Sequence, residues 1–182
     1  MPTKAAVTTT ERLVLREFDE SDAPALYRLN SDPEVLRYTG DAAFVSEEAS
    51  RAFIRDYDHY QRHGFGRWAV ERASDGQFIG FCGLARDEDS SEVDLGFRFF
   101  RDCWAQGYAT EAGHAALRVG FEDLGLDEIV GRALRENLPS ISVLQKLGMR
   151  FHSLSERGGL LWLVYGIDRE RFEREAEDSD QA

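Results

Sequence analysis

"EVDLGFRFFRDCWAQGYATEA", Glu92 to Ala112, decides the fold. Its first part, Glu92 to Phe100, reads as a strand, and "WAQGYATEA" from Trp104 is a turn with one glycine, Gly107, opening onto a helix near Tyr108. A helix N-terminus presents unpaired N–H groups and a partial positive charge, so it is a ready anion site. Ala105, Gly107 and Ala109 are small enough to let a large anion approach the backbone, and Gly107 can adopt a conformation closed to other residues. A Walker A loop would need Gly-Lys-Ser/Thr and a dinucleotide fingerprint three spaced glycines; the turn has neither. The expected anion is a pyrophosphate held mainly by backbone amides, without a metal. Taken alone, the turn equally describes a helix cap with close helix–sheet packing.

The segments on either side extend the pattern. "ERLVLREF" alternates apolar and polar residues as a strand does. "SDAPALYRLNSDPEV" offers Ser21 and Asp22 as caps, Leu26 and Leu29 at helical spacing, and a second start at Asp32-Pro33. Ser46 opens a longer helix with Ala49, Phe53, Tyr57 and Tyr60 on one face and Gly64 as its stop. "RWAVER" and "FIGFCGL" form a hairpin through "ASDG". Beyond the turn, the helix carries a stripe of small residues, Ala109, Ala112, Gly113, Ala116 and Gly120, which lets its backbone sit close to whatever lies beneath. "DEIVGRAL" is a strand, "ENLPSISVLQKLGMRF" a short helix bounded by Pro139 and Gly148, and "FHSLSERGGLLWLVYGI" a hairpin around Gly158-Gly159. This order predicts an α/β (α+β) domain with a mixed sheet flanked by helices, not a doubly wound Rossmann sheet.

At 182 residues the chain is expected to form one domain, with a core over about 9–172 and an acidic tail, 173–182, that frays into solvent. The net charge of −12 argues against non-specific nucleic-acid binding and suits a cationic partner such as an amine. No apolar run reaches the ~18 residues of a membrane span, and the start lacks a signal-peptide pattern, so a cytoplasmic protein is expected. Cys82 and Cys103 are too few for a disulfide framework and read as buried thiols.

The stretch around the turn, followed about 25 residues later by "NLPSISVLQKLGM", resembles the Gcn5-related N-acetyltransferases (GNAT), and within them the RimJ/RimL-type branch. The resemblance runs from "TERLVLREFDESDA" to "YGIDRERF", with "DPEVLRYTG" and "RWAVERASDGQFIGFCGL" in support. It implies a strongly twisted sheet of about seven strands whose two central parallel strands splay apart around acetyl-CoA. The backbone of Phe97, Arg98 and Phe99 would pair with the pantetheine arm. Trp104, Ala105, Gln106, Gly107, Tyr108, Ala109 and Thr110 would receive the pyrophosphate. Asn137 would bond the pantetheine amides, and the helix from Ser140 would lie beside the thioester. The family often has Gln or Arg followed by Gly where this chain has Trp104 and Ala105, though Trp is frequent there in the RimJ/RimL-type branch. Many members carry a tyrosine acid where this chain has Leu144, which leaves Ser140, matching a serine given that role in RimL-like enzymes.

The implied reaction is direct attack of a neutral primary amine, such as a protein N-terminal α-amine, on the thioester. Positioning and a backbone N–H on the thioester oxygen supply much of the rate. Asp94 stands at the family's frequent glutamate and is the first choice of base, with Glu92 or water alone as alternatives. Each of these residues has a plainer reading: Asp94 paired with an arginine, and Ser140 and Asn137 as helix caps. Arg98 and Arg101 face the cofactor phosphates or are solvated charges. His59 and His63, at i and i+4, lack an evident third metal ligand, so no metal is expected. Cys103 has no paired base, and Trp68 and Trp162 read as core. Substrate choice is expected in "RYTGDAAFV", the helix after Ser46 and the Gly158-Gly159 hairpin. A homodimer accords with the family. The rival readings are a non-catalytic acetyl-CoA-binding regulatory protein and a nucleotide-dependent enzyme.

Overall fold

The computed structural model describes residues 5–180, with side chains through residue 175. The chain runs β1 (Ala6–Thr9), β2 (Leu13–Arg16), α1 (Ala23–Leu29), α2 (Pro33–Leu36), α3 (Glu47–Asp56), α4 (His59–His63), β3 (Arg67–Arg72), β4 (Gln77–Arg86) and β5 (Val93–Phe99). It continues with α5 (Tyr108–Arg118), β6 (Glu128–Leu134), α6 (Leu138–Lys146), β7 (Arg150–Arg157), β8 (Leu160–Asp168) and α7 (Arg169–Asp180). The strands form an eight-stranded sheet in the order β1-β2-β3-β4-β5-β6-β8-β7. Every neighbouring pair is antiparallel except β5 and β6. The expected mixed sheet is present, with β1 as an added edge strand.

Helix α5 lies across β2, β4 and β5, and its small residues have the effect read from the sequence. A Cβ on Gly113 would stand 2.7 Å from Leu147, and one on Gly120 would stand 2.5 Å from Ile129. The main core is built around these contacts, with Leu13, Leu15, Trp68 and Leu84 fully buried. A second cluster, Ala23, Leu26, Leu29, Val35 and Ile54, packs α1 to α3 with Phe18, Phe44 and Phe81.

Three local expectations are corrected. The helix from Ser46 is capped as read, since the Ser46 side chain accepts from Ala49 N, but it breaks at Tyr57 (φ −75°, ψ 94°) and restarts as α4. The break carries two hydroxyls to the backbone of one residue: Tyr57 accepts from Arg67 N at 2.8 Å, and Tyr60 donates to Arg67 O. The side-chain cap before α1 is Asp19, which accepts from Ser21 N, whereas Asp22 turns inward. The acidic tail is helical through Asp180: Arg171 bonds Gly148 O at 2.6 Å and pairs with Glu175 at i,i+4. Residues 181–182 of that tail lie outside the described residues.

Among the described residues no helix is long and apolar enough to cross a membrane.

Candidate active site

The parallel strands meet only briefly. β5 and β6 register at Asp94↔Val130 and Leu95↔Gly131, and from there they part. Phe100 N donates to Ile79 O at 3.1 Å, so Phe100 faces β4. Because successive residues of a strand alternate, Arg98 also turns its backbone to β4. Phe97 and Phe99 therefore turn theirs toward the side that β6 has left. The indole of Trp104 donates to Phe99 O at 2.8 Å and thereby ties the following turn to the mouth of this opening.

In that turn Ala105 (φ 56°) and Gly107 (φ 83°) are both left-handed. Alternating backbone handedness of this kind gathers N–H groups into an anion-binding concavity. Gly107 is the N-cap of α5 and provides no side-chain cap, so the first amides of the helix face outward. Ala105 stands where the family often has glycine, in a conformation that costs a residue with a Cβ about 1–2 kcal/mol.

One positive charge at the turn was not read from the sequence: Arg12. It donates to Gln106 O at 3.0 Å, pairs with Glu111 at 2.6 Å and lies 4.6 Å from the Tyr108 ring centre. By contrast, Arg98 and Arg101 point to the N-terminal helices. Arg98 bonds Asn30 at 2.5 Å and Asp41 at 2.6 Å, and Arg101 bonds Asp32 at 2.8 Å. Their side chains are thus engaged away from the turn.

Beside the opening lies a cleft of about 610 Å³, whose walls include Asp94, Phe97, Asn137, Ser140 and Trp162. Both oxygens of Asp94 are engaged, one by Arg67 at 2.5 Å and the other by Arg132 at 2.9 Å. Arg132 also pairs with Glu92. Arg67 reaches Asp94 by lying across Gly96, where a Cβ would stand 2.5 Å from the guanidinium carbon. Arg157, paired with Asp87, adds another cation to the cleft wall. Arg67, Arg132 and Arg157 thus each pair with a carboxylate at the cleft, and none of the three was singled out in the sequence.

Asn137 Oδ1 accepts from Ser140 N at 3.3 Å and caps α6. Leu144 on that helix is fully buried over Gly131, where a Cβ would meet it at 2.6 Å. The position of the family's tyrosine therefore fills the core with hydrocarbon. Of the segments expected to choose the substrate, "RYTGDAAFV" and the Gly158-Gly159 hairpin reach the cleft, through Thr39, Asp41, Gly158 and Leu160, whereas the helix after Ser46 does not line it. Trp68 is core as expected, whereas Trp162 is half-buried on the cleft wall.

The remaining candidates are structural. Burial pushes the Cys82 thiol up to about 12, and burial with the neighbouring Asp102 pushes Cys103 up to about 11, so neither is an activated nucleophile. His59 Nε2 accepts from Arg86 N at 2.9 Å, and burial holds its pKa below the usual value. No group of three or more His, Cys, Asp or Glu suited to a metal occurs among the described residues.

Comparison with known proteins agrees with this geometry. The family model described as "Acetyltransferase (GNAT) domain" matches residues 12–150. YnaD of Bacillus subtilis (strain 168), an uncharacterized N-acetyltransferase, is 30% identical over 161 residues, covering 86% of this chain and 92% of that protein. The GNAT-family acetyltransferase structure from Bacillus anthracis is 27% identical with a TM-score of 0.76, covering 89% of this chain and 98% of that one. An acetyltransferase structure from Agrobacterium tumefaciens C58 is 25% identical with a TM-score of 0.78, covering 92% and 96% respectively. A strand pair that opens beside an uncapped helix start, in a chain matched over most of its length, has one assignment: the chain belongs to the GNAT acetyltransferase family, whose chemistry is acetyl-CoA-dependent N-acetylation.

Proposed function

We propose that the protein transfers the acetyl group of acetyl-CoA directly to a primary amine, such as a protein N-terminal α-amine. The observation that carries this reading is the open backbone edge at Phe97 and Phe99, which leads straight to the outward-facing amides of α5. On this reading the edge receives the pantetheine arm, with Arg98 between the two facing residues. Trp104 to Thr110 receive the pyrophosphate beside Arg12. Asn137 keeps its cap to Ser140 and offers its remaining polar atoms to the pantetheine amides. Acetyl-CoA supplies the acetyl group as a thioester, and the chain's residues bind, orient and move the proton.

The acceptor must be neutral to react. At pH 7 an α-amine with a pKa of about 8 costs about 1.4 kcal/mol to deprotonate, while a lysine near 10.4 costs about 4.6 kcal/mol. Arg67 and Arg132 each hold one oxygen of Asp94, which leaves each oxygen a lone pair that a water can reach. We assign the proton a path through water to the Asp94 carboxylate, with Glu92 on the far side of Arg132. Ser140 is placed to hydrogen-bond the departing sulfur or relay a proton to it; a hydroxyl there is not acidic enough to do more.

Thiol release measured over small amines and peptides with free N-termini tests this directly. Turnover on α-amines is expected; tight acetyl-CoA binding with no turnover on any of them would overturn it. Asp94→Asn should lower kcat by about 10- to 100-fold, most at low pH, where neutral amine and base are scarcest. An unchanged pH–rate profile in that variant, with a melting curve showing it folded, removes Asp94 from the proton path. Asn137→Ala should raise the acetyl-CoA Kd by about tenfold, and loss of the cap should also lower stability by about 1 kcal/mol. If only the melting temperature falls, Asn137 is a cap and nothing more.

A further inference from the structure

A second cavity, of about 380 Å³, opens beside the cleft and shares Asp41, Arg67, Phe81 and Arg98 with it. The cleft and the helix-start turn account for the cofactor on the proposed reading; this cavity is left over. It falls in the range of about 300–1,000 Å³ found for small-molecule sites.

Its character comes from four phenyl rings, Phe18, Phe44, Phe53 and Phe81, with Leu26 beneath. They are braced against one another rather than collapsed. Phe18 meets Phe81 edge-on at 6.3 Å, and Phe44 meets Phe53 at 5.6 Å. Phe53 is 44% exposed, which leaves apolar ring surface facing water. Uncovered apolar surface costs about 25 cal/mol per Å², so a braced aromatic cage favours an apolar occupant that covers it.

Aromatic cages also bind cations, but two features argue against that here. The cation position on Phe81 is already taken by Arg98, whose guanidinium lies 5.3 Å from the ring centre. The carboxylate among the lining residues is Asp41, and Arg98 pairs with it at 2.6 Å. Arg67, the other lining cation, is turned to Asp94. A second ammonium entering the cage would meet two guanidiniums and no carboxylate without an arginine on it.

We infer that this cavity is the acceptor's side-chain subsite, and that the favoured acceptor is a primary amine carrying one aromatic or branched apolar group and no second positive charge. The inference rests on the proposed acetyltransfer. It applies to a small arylalkylamine and to a peptide whose first residue is apolar, because both present an amine next to the same group. The Arg98–Asp41 pair stands in the wall common to the two cavities, so the amine can lie in the cleft while its substituent fills the cage.

Steady-state thiol release with 2-phenylethylamine, putrescine, spermidine, and two peptides beginning with Phe or with Lys tests it. The expected result is a kcat/KM at least about tenfold higher for 2-phenylethylamine than for putrescine or spermidine, or for the Phe peptide than for the Lys peptide. The two arms distinguish a small-molecule acceptor from a peptide. Phe53→Ser, with a melting curve showing it folded, should raise KM for the apolar acceptor about tenfold while the acetyl-CoA KM stays the same. Faster turnover of spermidine, or of the Lys peptide with no preference among the small amines, overturns the subsite and leaves acetyltransfer standing. An unchanged KM in Phe53→Ser does the same. Absence of turnover on every amine, with acetyl-CoA bound, overturns both.

Discussion

Gly107→Val should weaken acetyl-CoA binding by at least 100-fold, measured as Kd by calorimetry. At φ 83°, Gly107 holds a left-handed conformation that a β-branched residue adopts only under strain. A Cβ there would also stand 3.3 Å from Nη2 of Arg12, whose Nη1 anchors the turn through Gln106 O. The valine would therefore displace either the turn or Arg12, and its methyls would cover the amides at the start of α5. A 100-fold loss corresponds to about 2.8 kcal/mol. Gly107→Asn separates the two causes, since asparagine tolerates the left-handed region: it should keep the turn and lose about tenfold or less. Retained affinity in the valine variant would mean that the pyrophosphate is held elsewhere.

The largest stability effect is expected at Asp22→Ala. Arg16 is 2% exposed and donates to both oxygens of Asp22 at 2.7 Å, with Glu71 on its other edge. Asp22 also accepts from Asp19 N at 2.9 Å and so closes the capping box before α1. Removing one partner of a buried pair leaves the other charge undercompensated, at a cost of about 3–5 kcal/mol. For a chain of this size, at about 2–4 °C per kcal/mol, the melting temperature should fall by roughly 10 °C. Replacing both residues, as Arg16→Met with Asp22→Leu, should recover part of the loss, because no buried guanidinium is then left unpaired, while Glu71 and Asp19 N still lose the partners these residues gave them. A single variant that melts with the parent protein would show the pair to be neutral. The pair matters to the site because it fixes α1, which brings Leu26 and Asn30 to the aromatic cavity.

The sequence made the fold legible wherever a local signal existed. "ASDG" and Gly158-Gly159 announce their hairpins, and the small-residue stripe announces how closely α5 packs. Elements without such a signal went unread. β1, "AVTT", is a mostly exposed edge strand whose register with β2 slips between Ala6 and Thr8, so no alternation marks it. The break at Tyr57 has no glycine or proline beside it; it is imposed by hydroxyl contacts to Arg67, which lies ten residues further on. Helix α7 replaces an expected frayed tail because pairs such as Arg174–Glu170 and the anchor from Arg171 to Gly148 oppose fraying.

The candidate site divides the same way. The resemblance named the turn, Asn137 and Ser140; Asn137 and Ser140 line the cleft, and Trp104 ties the turn to Phe99 at the end of β5. The arginines were invisible for a physical reason: a charge declares its role only through its partner. Arg67 and Asp94 are 27 residues apart, Arg132 and Asp94 are 38, and Arg12 and Glu111 are 99. A net charge summed over the chain cannot report which of its cations stand at the cleft or what they pair with.

The parting of β5 and β6 carries a further consequence for mutational mapping. On the proposed reading, the groups meeting the pantetheine arm at Phe97 and Phe99 belong to the main chain, which no side-chain replacement deletes. An alanine scan would pass over this part of the molecule almost in silence, recording repacking of two rings and little change in affinity. Amide-to-ester exchange at these positions, or hydrogen-exchange protection of their amides on adding CoA, would detect what the scan omits. On that reading the constraint on the side chain of Phe99 comes from its place in the core, and the contact with the arm leaves no mark in the residue type.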